Sequence, residues 1–419
     1  MSVPDNLLDS ERAPWRRPPG RSTLLWKRPY LLLFVALLQS HAVGYFSNLD
    51  TQAGAHRSFR NGSERPFRPS RWRGDPSSGL LSIIMPILPQ QQELSKFELH
   101  SRTLAALFNS SSIQEFVLIA PAAGLHAIEK LIKEHVTGLL GNLPLFTLVS
   151  DEAIAPDLRH TQLSLNMGMP GWVKQQLLKL AVSSLVQTPF YLVLDTDVLF
   201  AHSFAALDLF HMSVCQPTSP VCDNSSRMAF HAKTDVYDAA TQSSNEQRWR
   251  ANTAAFLQLE LPRDWKSATG STPQLFATEI ARQLGPWLQQ RFGVTRWQHL
   301  LLDGVAEVST EGTLRRRSLP WTELNLYWLY SHHVSAWELY HTSGHVVQDS
   351  SVWSEANFEA WHPCSSTADR RQGLLAKVPS HLGLAASMVL RRLEPCIKNG
   401  GHLDQGDTAL TAISAASIR

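Results

Sequence analysis

The chain has 419 residues, 18% of them charged, and a formal net charge of +2. So small a basic excess excludes a nucleic-acid-binding protein driven by overall charge. The length is enough for a sizeable core in one large domain or two small ones.

Residues 1–28 form a polar tail whose basic residues are Arg12, Arg16, Arg17, Arg21, Lys27 and Arg28. Residues 29–46 form one apolar segment, densest from Tyr30 to Leu38. It lies near the short limit for a membrane-spanning helix. The next basic residue after it is Arg57, and this asymmetry predicts a cytoplasmic N-terminus. No clear small-x-small cleavage site stands out and the basic tail is long, so a retained signal anchor is expected rather than a cleaved signal peptide. A short span fits the thinner membranes of the early secretory pathway. The expected location is therefore the Golgi or endoplasmic reticulum membrane, single-pass type II, with the bulk of the chain lumenal. Residues 47–79 are rich in Ser, Arg, Gly and Pro and read as a disordered stem.

The ordered domain is expected over 80–398, with a flexible tail over 399–419. Leu81 to Ile87 is a buried strand candidate, and Gln92 to Phe108 carries helical periodicity. Glu115 to Ala120 is a second strand, and Leu125 to Val136 a second helix. A third strand runs to Val149, a third helix from Trp172 to Val186, and a fourth strand from Phe190 to Leu194. Strands alternating with helices predict βαβ units and a parallel sheet. Ligands bind such sheets beyond the carboxyl ends of the strands.

The fourth strand ends in Asp195-Thr-Asp197, and apolar residues resume at once. Ionised carboxylates are costly to bury without a partner. A divalent cation is the natural one, and oxygen ligands suit Mg²⁺ or Mn²⁺. The competing reading is an Asp pair that caps a strand and starts a turn. No Gly-x-Gly-x-x-Gly follows the first strand and no Gly-x-x-x-x-Gly-Lys-Ser/Thr occurs, which disfavours dinucleotide oxidoreductases and P-loop enzymes. No Gly-x-Ser-x-Gly elbow occurs either.

All four cysteines, Cys215, Cys222, Cys364 and Cys396, follow the apolar segment. On the lumenal side disulfides are permitted, Cys215 with Cys222 and Cys364 with Cys396 by default. Sequons at Asn61, Asn109 and Asn224 lie on the same side. Trp321 to Tyr330 reads as a helix with Glu323 near its start, where a carboxylate complements the helix dipole. Nine of the thirteen Trp fall between Trp249 and Trp361. Aromatic faces suit sugar rings, but most of these are expected in the core.

The first strand ending in Met85-Pro86 and the Asp-x-Asp roughly a hundred residues later resemble GT-A glycosyltransferases. Gly171 to Leu180, Tyr191 to Phe200 and Glu323 to Trp328 look like a family of poorly characterised glycosyltransferase-like proteins. Lys179, sixteen positions before Asp195, is similar to the donor-contacting Lys of glycogenin-like retaining enzymes. The resemblance covers about Leu80 to Trp353. It implies an α/β GT-A fold, Rossmann-like, with a mostly parallel sheet flanked by helices. It implies metal-dependent sugar transfer from a nucleotide-sugar donor to a glycan or glycoprotein acceptor, with Mn²⁺ or Mg²⁺ and no nucleic-acid partner. It puts Asp195 and Asp197 on the metal, with Asp195 also near the ribose, and Pro86 and Lys179 at the donor. Glu323 falls in the acceptor site as base or hydroxyl-binding group. His345, after Ser343-Gly344, is the expected third metal ligand, with His341 as its rival. The bland reading of Lys179 is a solvated lysine outside the apolar stripe of Leu177, Leu178, Ala181 and Leu185, and Lys174 is read as solvated. The alternatives are an inactive GT-A-like lectin or scaffold, and a nucleotidyltransferase-like enzyme.

Overall fold

In a computed structural model of the chain, the residues described are 79–400. Excepted are 110–112, 137–144, 157, 159–170, 202–203, 215–227, 235–243, 262–272, 304–305, 309–313, 317–320, 345–357, 360, 362–374, 379–383 and 385. The expected cytoplasmic tail and membrane span lie outside these, as do the stem except Gly79 and the C-terminal tail except residues 399–400, which belong to the last helix. Among the described residues no helix is long and apolar enough to cross a membrane.

The elements that carry the site come in the expected order. They are β1 (Leu81–Pro86), α1 (Gln91–Leu107), β2 (Ile113–Ala120), α2 (Leu125–Leu131), β3 (Leu145–Ser150), α3 (Gly171–Ala181) and β4 (Phe190–Val193). The short strand β5 (Val198–Phe200) follows directly. Later come β6 (Phe210–Val214), β7 (Met228–Thr234), α4 (Ser244–Leu257), β8 (Gln274–Ala277) and α5 (Thr278–Phe292). The described chain closes with α6 (Trp297–Asp303), α7 (Glu323–His333), β9 (His341–Ser343), β10 (Leu375–Lys377) and α8 (Ala386–Gly400).

The central sheet has the order β8-β4-β1-β2-β3. Its four consecutive members from β4 to β3 are parallel, and β8 is an antiparallel edge. The fold is thus mixed α/β with a mostly parallel sheet. β1 is buried at every position, as a strand covered on both faces must be, and its apolar run shows no alternation. Register places the carboxyl ends together: Ile84 lies opposite Val193, Pro86 opposite Ile119, and Ala120 opposite Ser150. Loops leaving β1, β2, β3 and β4 therefore emerge at one edge.

Helices α3, α5 and α7 pack against one another. Helix α5 ends in Gly293 at φ 65°, a left-handed cap that glycine adopts without steric cost. Thr322 caps α7, its hydroxyl accepting the Asn325 N–H. A second sheet, β9-β7-β6, lies beyond.

Two expectations about the third helix need correction. The α-helix stops at Ala181 and tightens into a 3₁₀ turn at Val182–Ser184. The turn swings Leu185 outward, 45% exposed, rather than toward the sheet. Lys179, expected outside the apolar stripe, is buried with Leu177 and Leu178.

Candidate active site at the carboxyl edge of the sheet

Beyond Val193, the Leu194 N–H still donates to the Ile84 carbonyl at 2.9 Å. The chain then turns: the Val198 N–H donates to the Asp195 carbonyl at 3.1 Å. Asp195 and Asp197 thus sit on a tight turn between β4 and β5, both half-buried. The turn reading and the site reading hold together, because this turn lies where parallel sheets bind ligands.

Helix α1 grips the turn from one side. The Thr196 hydroxyl donates to Glu93 Oε2. His100 Nδ1 lies 2.6 Å from the Val198 carbonyl, and Thr103 Oγ1 accepts the Phe200 N–H at 3.2 Å. Alternate residues 196, 198 and 200 are held by one face of a helix, as the two-residue period of extended chain allows. Just past β10, the Val378 N–H donates to the Asp197 carbonyl at 2.9 Å.

The site gathers residues distant in sequence. Lys179 Nζ lies 2.8 Å from Asp195 Oδ1 and 3.2 Å from Glu323 Oε1. The Lys179 and Glu323 side chains are 2% and 4% exposed, and Asp195 is 24% exposed. Asp195 is therefore the outward face of a buried ion cluster. Burial alone would lower the Lys179 pKa, but Asp195 and Glu323 outweigh it and hold the ammonium above the usual lysine range. Burial pushes Glu323 up, and Lys179 offsets only part of that. So Lys179 is no solvated helix residue. A buried ammonium persists only where carboxylates compensate it.

Two groups that the sequence reading did not single out hold this cluster. Gln176 Oε1 accepts the Glu323 N–H at 3.3 Å, and the Tyr191 hydroxyl donates to the Lys179 carbonyl at 3.1 Å. The signal for Gln176 was its place three residues before Lys179, on the same helix face. Glu323, expected at an acceptor hydroxyl, is enclosed and bonded to Lys179, so in this geometry it does not present a free base. Lys174, expected to be solvated, is half-buried and paired with the buried Asp151.

The histidines divide. His345 lies outside the described residues. Gly344 before it fits closely, but against Lys233: an added Cβ would meet Lys233 Cβ at 2.9 Å. His341 is buried, with Nε2 2.6 Å from the Tyr327 hydroxyl and Nδ1 3.2 Å from Thr234 Oγ1. The Tyr327 oxygen also accepts the Ala277 N–H at 2.8 Å. The ring stacks on Trp337 at 4.2 Å, and burial lowers its pKa to about 3. With both nitrogens engaged, His341 fills a structural post and is not a cation ligand here. Trp321, Trp328, Trp337 and Trp361 are buried, as expected of core residues, whereas Trp172 is 41% exposed. Cys396 is disulfide-bonded, and the other three cysteines lie outside the described residues.

A family described as a family of unknown function (DUF6492) matches residues 79–401. The chain belongs to this family. The DUF6492 span contains Pro86, Lys179, Asp195, Asp197, Glu323 and His345. No curated protein matches the chain. Among solved structures, it is similar to mouse xyloside xylosyltransferase 1 in its apo form. That similarity has 10% identity and a TM-score of 0.38, and covers 73% of this chain and 99% of that one. It is also similar to the galactosyltransferase LgtC in complex with donor and acceptor sugar analogs. There the identity is 11% and the TM-score 0.35, with 79% and 99% covered.

In this DUF6492 member, no group of three His, Cys, Asp and Glu among the described residues is arranged to hold a metal ion. A phosphate-bound Mg²⁺ needs less: one or two carboxylates plus phosphate oxygens. Asp195 and Asp197 supply two half-buried carboxylates one residue apart, and this donor set fits Mg²⁺ or Mn²⁺. Pro86 ends β1 at the same edge of the sheet.

Proposed function

We propose that this chain is a GT-A-type glycosyltransferase that moves a sugar from a nucleotide-sugar donor to a glycan or glycoprotein acceptor. One observation carries the reading: the Asp195–Asp197 turn sits at the common carboxyl edge of a parallel sheet, backed by a buried lysine on Asp195 Oδ1. In such transfer the bond from the sugar carbon to the diphosphate breaks as the acceptor hydroxyl attacks, and negative charge grows on the diphosphate. Asp195 and Asp197 would hold Mn²⁺ or Mg²⁺, which supplies neutralisation of that charge when bound. Lys179 fixes the rotamer of Asp195, and α1 and β10 fix the backbone on either side of Asp197. These contacts preorganise the carboxylates before ligand arrives.

Asp197→Asn is the direct test. It should weaken Mn²⁺-dependent binding of a nucleoside diphosphate by at least about tenfold, because a carboxylate is lost from a half-exposed position and little packing with it. Calorimetry with UDP and GDP in the presence of Mn²⁺ reads this. Unchanged affinity removes the carboxylate turn from the donor site. A donor screen scored as released nucleoside diphosphate then separates an active transferase from a lectin or scaffold of the same shape.

We further propose a single-pass type II topology in the Golgi or endoplasmic reticulum, on the charge asymmetry around residues 29–46. Asn109 and Asn224 should then carry glycans in cells. If glycosidase shifts no band and protease digests the domain in intact microsomes, the orientation is reversed.

A further inference from the structure

The proposed cation site holds its own competitor. The Lys179 ammonium lies 2.8 Å from Asp195 Oδ1, so it draws on a carboxylate that a divalent cation would need. The same ammonium lies 3.2 Å from Glu323 Oε1. Glu323 is enclosed, so it contributes nothing to a ligand directly. Its carboxylate faces Lys179, and its backbone is tied to Gln176 of the helix that bears Lys179. Tyr191, on β4, ties the Lys179 carbonyl to the strand that leads into the Asp turn. The three charged groups thus sit on three separate elements at fixed separations.

We infer that Glu323 is a positioning residue: it shares the Lys179 ammonium with Asp195 and so sets how much of Asp195 is left for a divalent cation. The inference rests on the cation reading above. Two carboxylates, Asp195 and Glu323, share one ammonium. If Glu323 is made neutral, two things change together. The site loses one negative charge, and the ammonium turns wholly onto Asp195. Both disfavour a cation there. If the ammonium is removed as well, the competitor disappears and the charge returns to that of the wild type.

Mn²⁺ alone, titrated into the purified full chain and followed by the loss of the free-ion electron paramagnetic resonance signal, tests this without donor or acceptor. Glu323→Gln should weaken Mn²⁺ binding by about tenfold. Adding Lys179→Met to that variant should restore it to within about threefold of the wild type. Glu323→Gln binding Mn²⁺ as the wild type does overturns the inference and leaves the cation site standing; so does a double variant as weak as Glu323→Gln, the mark of a merely structural role. A wild-type chain that binds no Mn²⁺ overturns the cation reading and the inference with it. Should Glu323→Gln not fold, the double variant still decides, since it removes both buried charges together and such neutral replacements are tolerated. Binding about tenfold weaker than wild type in that variant overturns the inference.

Discussion

Lys179→Met should destabilise the domain by about 3–5 kcal/mol, the cost of leaving one member of a buried ion pair without its partner. Methionine fills nearly the same volume, so packing loss contributes little. What remains is the Glu323 carboxylate, almost wholly enclosed and bonded to Lys179 at 3.2 Å in the intact protein. Asp195, on the outward side, can turn to solvent and loses less. The Lys179→Met/Glu323→Gln double substitution should therefore recover most of the loss, a coupling that urea denaturation of the four members of the cycle reads directly. A single variant within about 1 kcal/mol of the wild type would show that Lys179 is not holding a buried charge. Because the ammonium's pKa is held above its ordinary value, this contribution is complete across the neutral range. It is lost only as pH rises beyond the usual lysine range. Lys174→Ala is no silent control for this series. It strips the partner from Asp151, another buried carboxylate, and should itself destabilise measurably.

This result also marks where sequence reasoning stops. The strands β1 to β4 were legible because each is an apolar run cut by Pro, Gly or charge, and the helices between them carry a 3.6-residue period. The Asp turn was legible because two carboxylates at the end of a buried strand start a turn, and in a parallel sheet that turn lies at the ligand-binding edge. Lys179 was singled out by its spacing from Asp195, but its burial was not legible. Periodicity placed it off the apolar stripe, and periodicity is blind to a counter-ion 144 positions away. Glu323 was singled out as a carboxylate at a helix start, which says nothing of its contact with Lys179. A carboxylate at a helix start fits the dipole wherever the helix lies, and only the packing of α7 on α3 turns it toward Lys179. The antiparallel edge β8 left no usable signal, since Gln274–Ala277 is four residues long. His341 shows the same limit from the other side. Its partners Tyr327, Thr234 and Trp337 belong to three different elements, and no local pattern announces that both its nitrogens are taken.

The second large effect should appear on acidification, and it comes from two histidines outside the ion cluster. His100 is buried between the rings of Phe116 and Phe200, with Nδ1 on the Val198 carbonyl and, among the described residues, no hydrogen-bond partner at Nε2. Burial lowers its pKa to about 4, which the Val198 bond only partly opposes. His341 is lowered to about 3, first by burial and then by His332 and His231 nearby. In the unfolded chain both imidazoles take a proton near the ordinary histidine value, about 6.5. Between that value and their native values the unfolded state binds more protons than the folded one, so stability falls as pH falls. The stabilisation is complete above about pH 6.5 and is withdrawn through pH 4, on the order of 3 kcal/mol for each histidine at that point. Glu323 works in the opposite sense, because its raised pKa lets the folded state take up a proton first, and it offsets part of the loss. Urea denaturation at steps from pH 7 to pH 4 should therefore show a falling midpoint, to whose slope His100 and His341 each add about one proton, with the part-buried His231 and His332, also lowered by burial, acting in the same sense. His100→Phe keeps an aromatic ring among Phe116 and Phe200 while removing one titrating group, so its slope should drop by about one proton. An unaltered slope in that variant would mean that His100 is reached by protons in the folded protein. The acid sensitivity matters for the site because His100 grips the residue after Asp197. Protonation leaves the Nδ1–H bond to the Val198 carbonyl in place; its cost is a buried charge set between Phe116 and Phe200, directly beside the carboxylate turn.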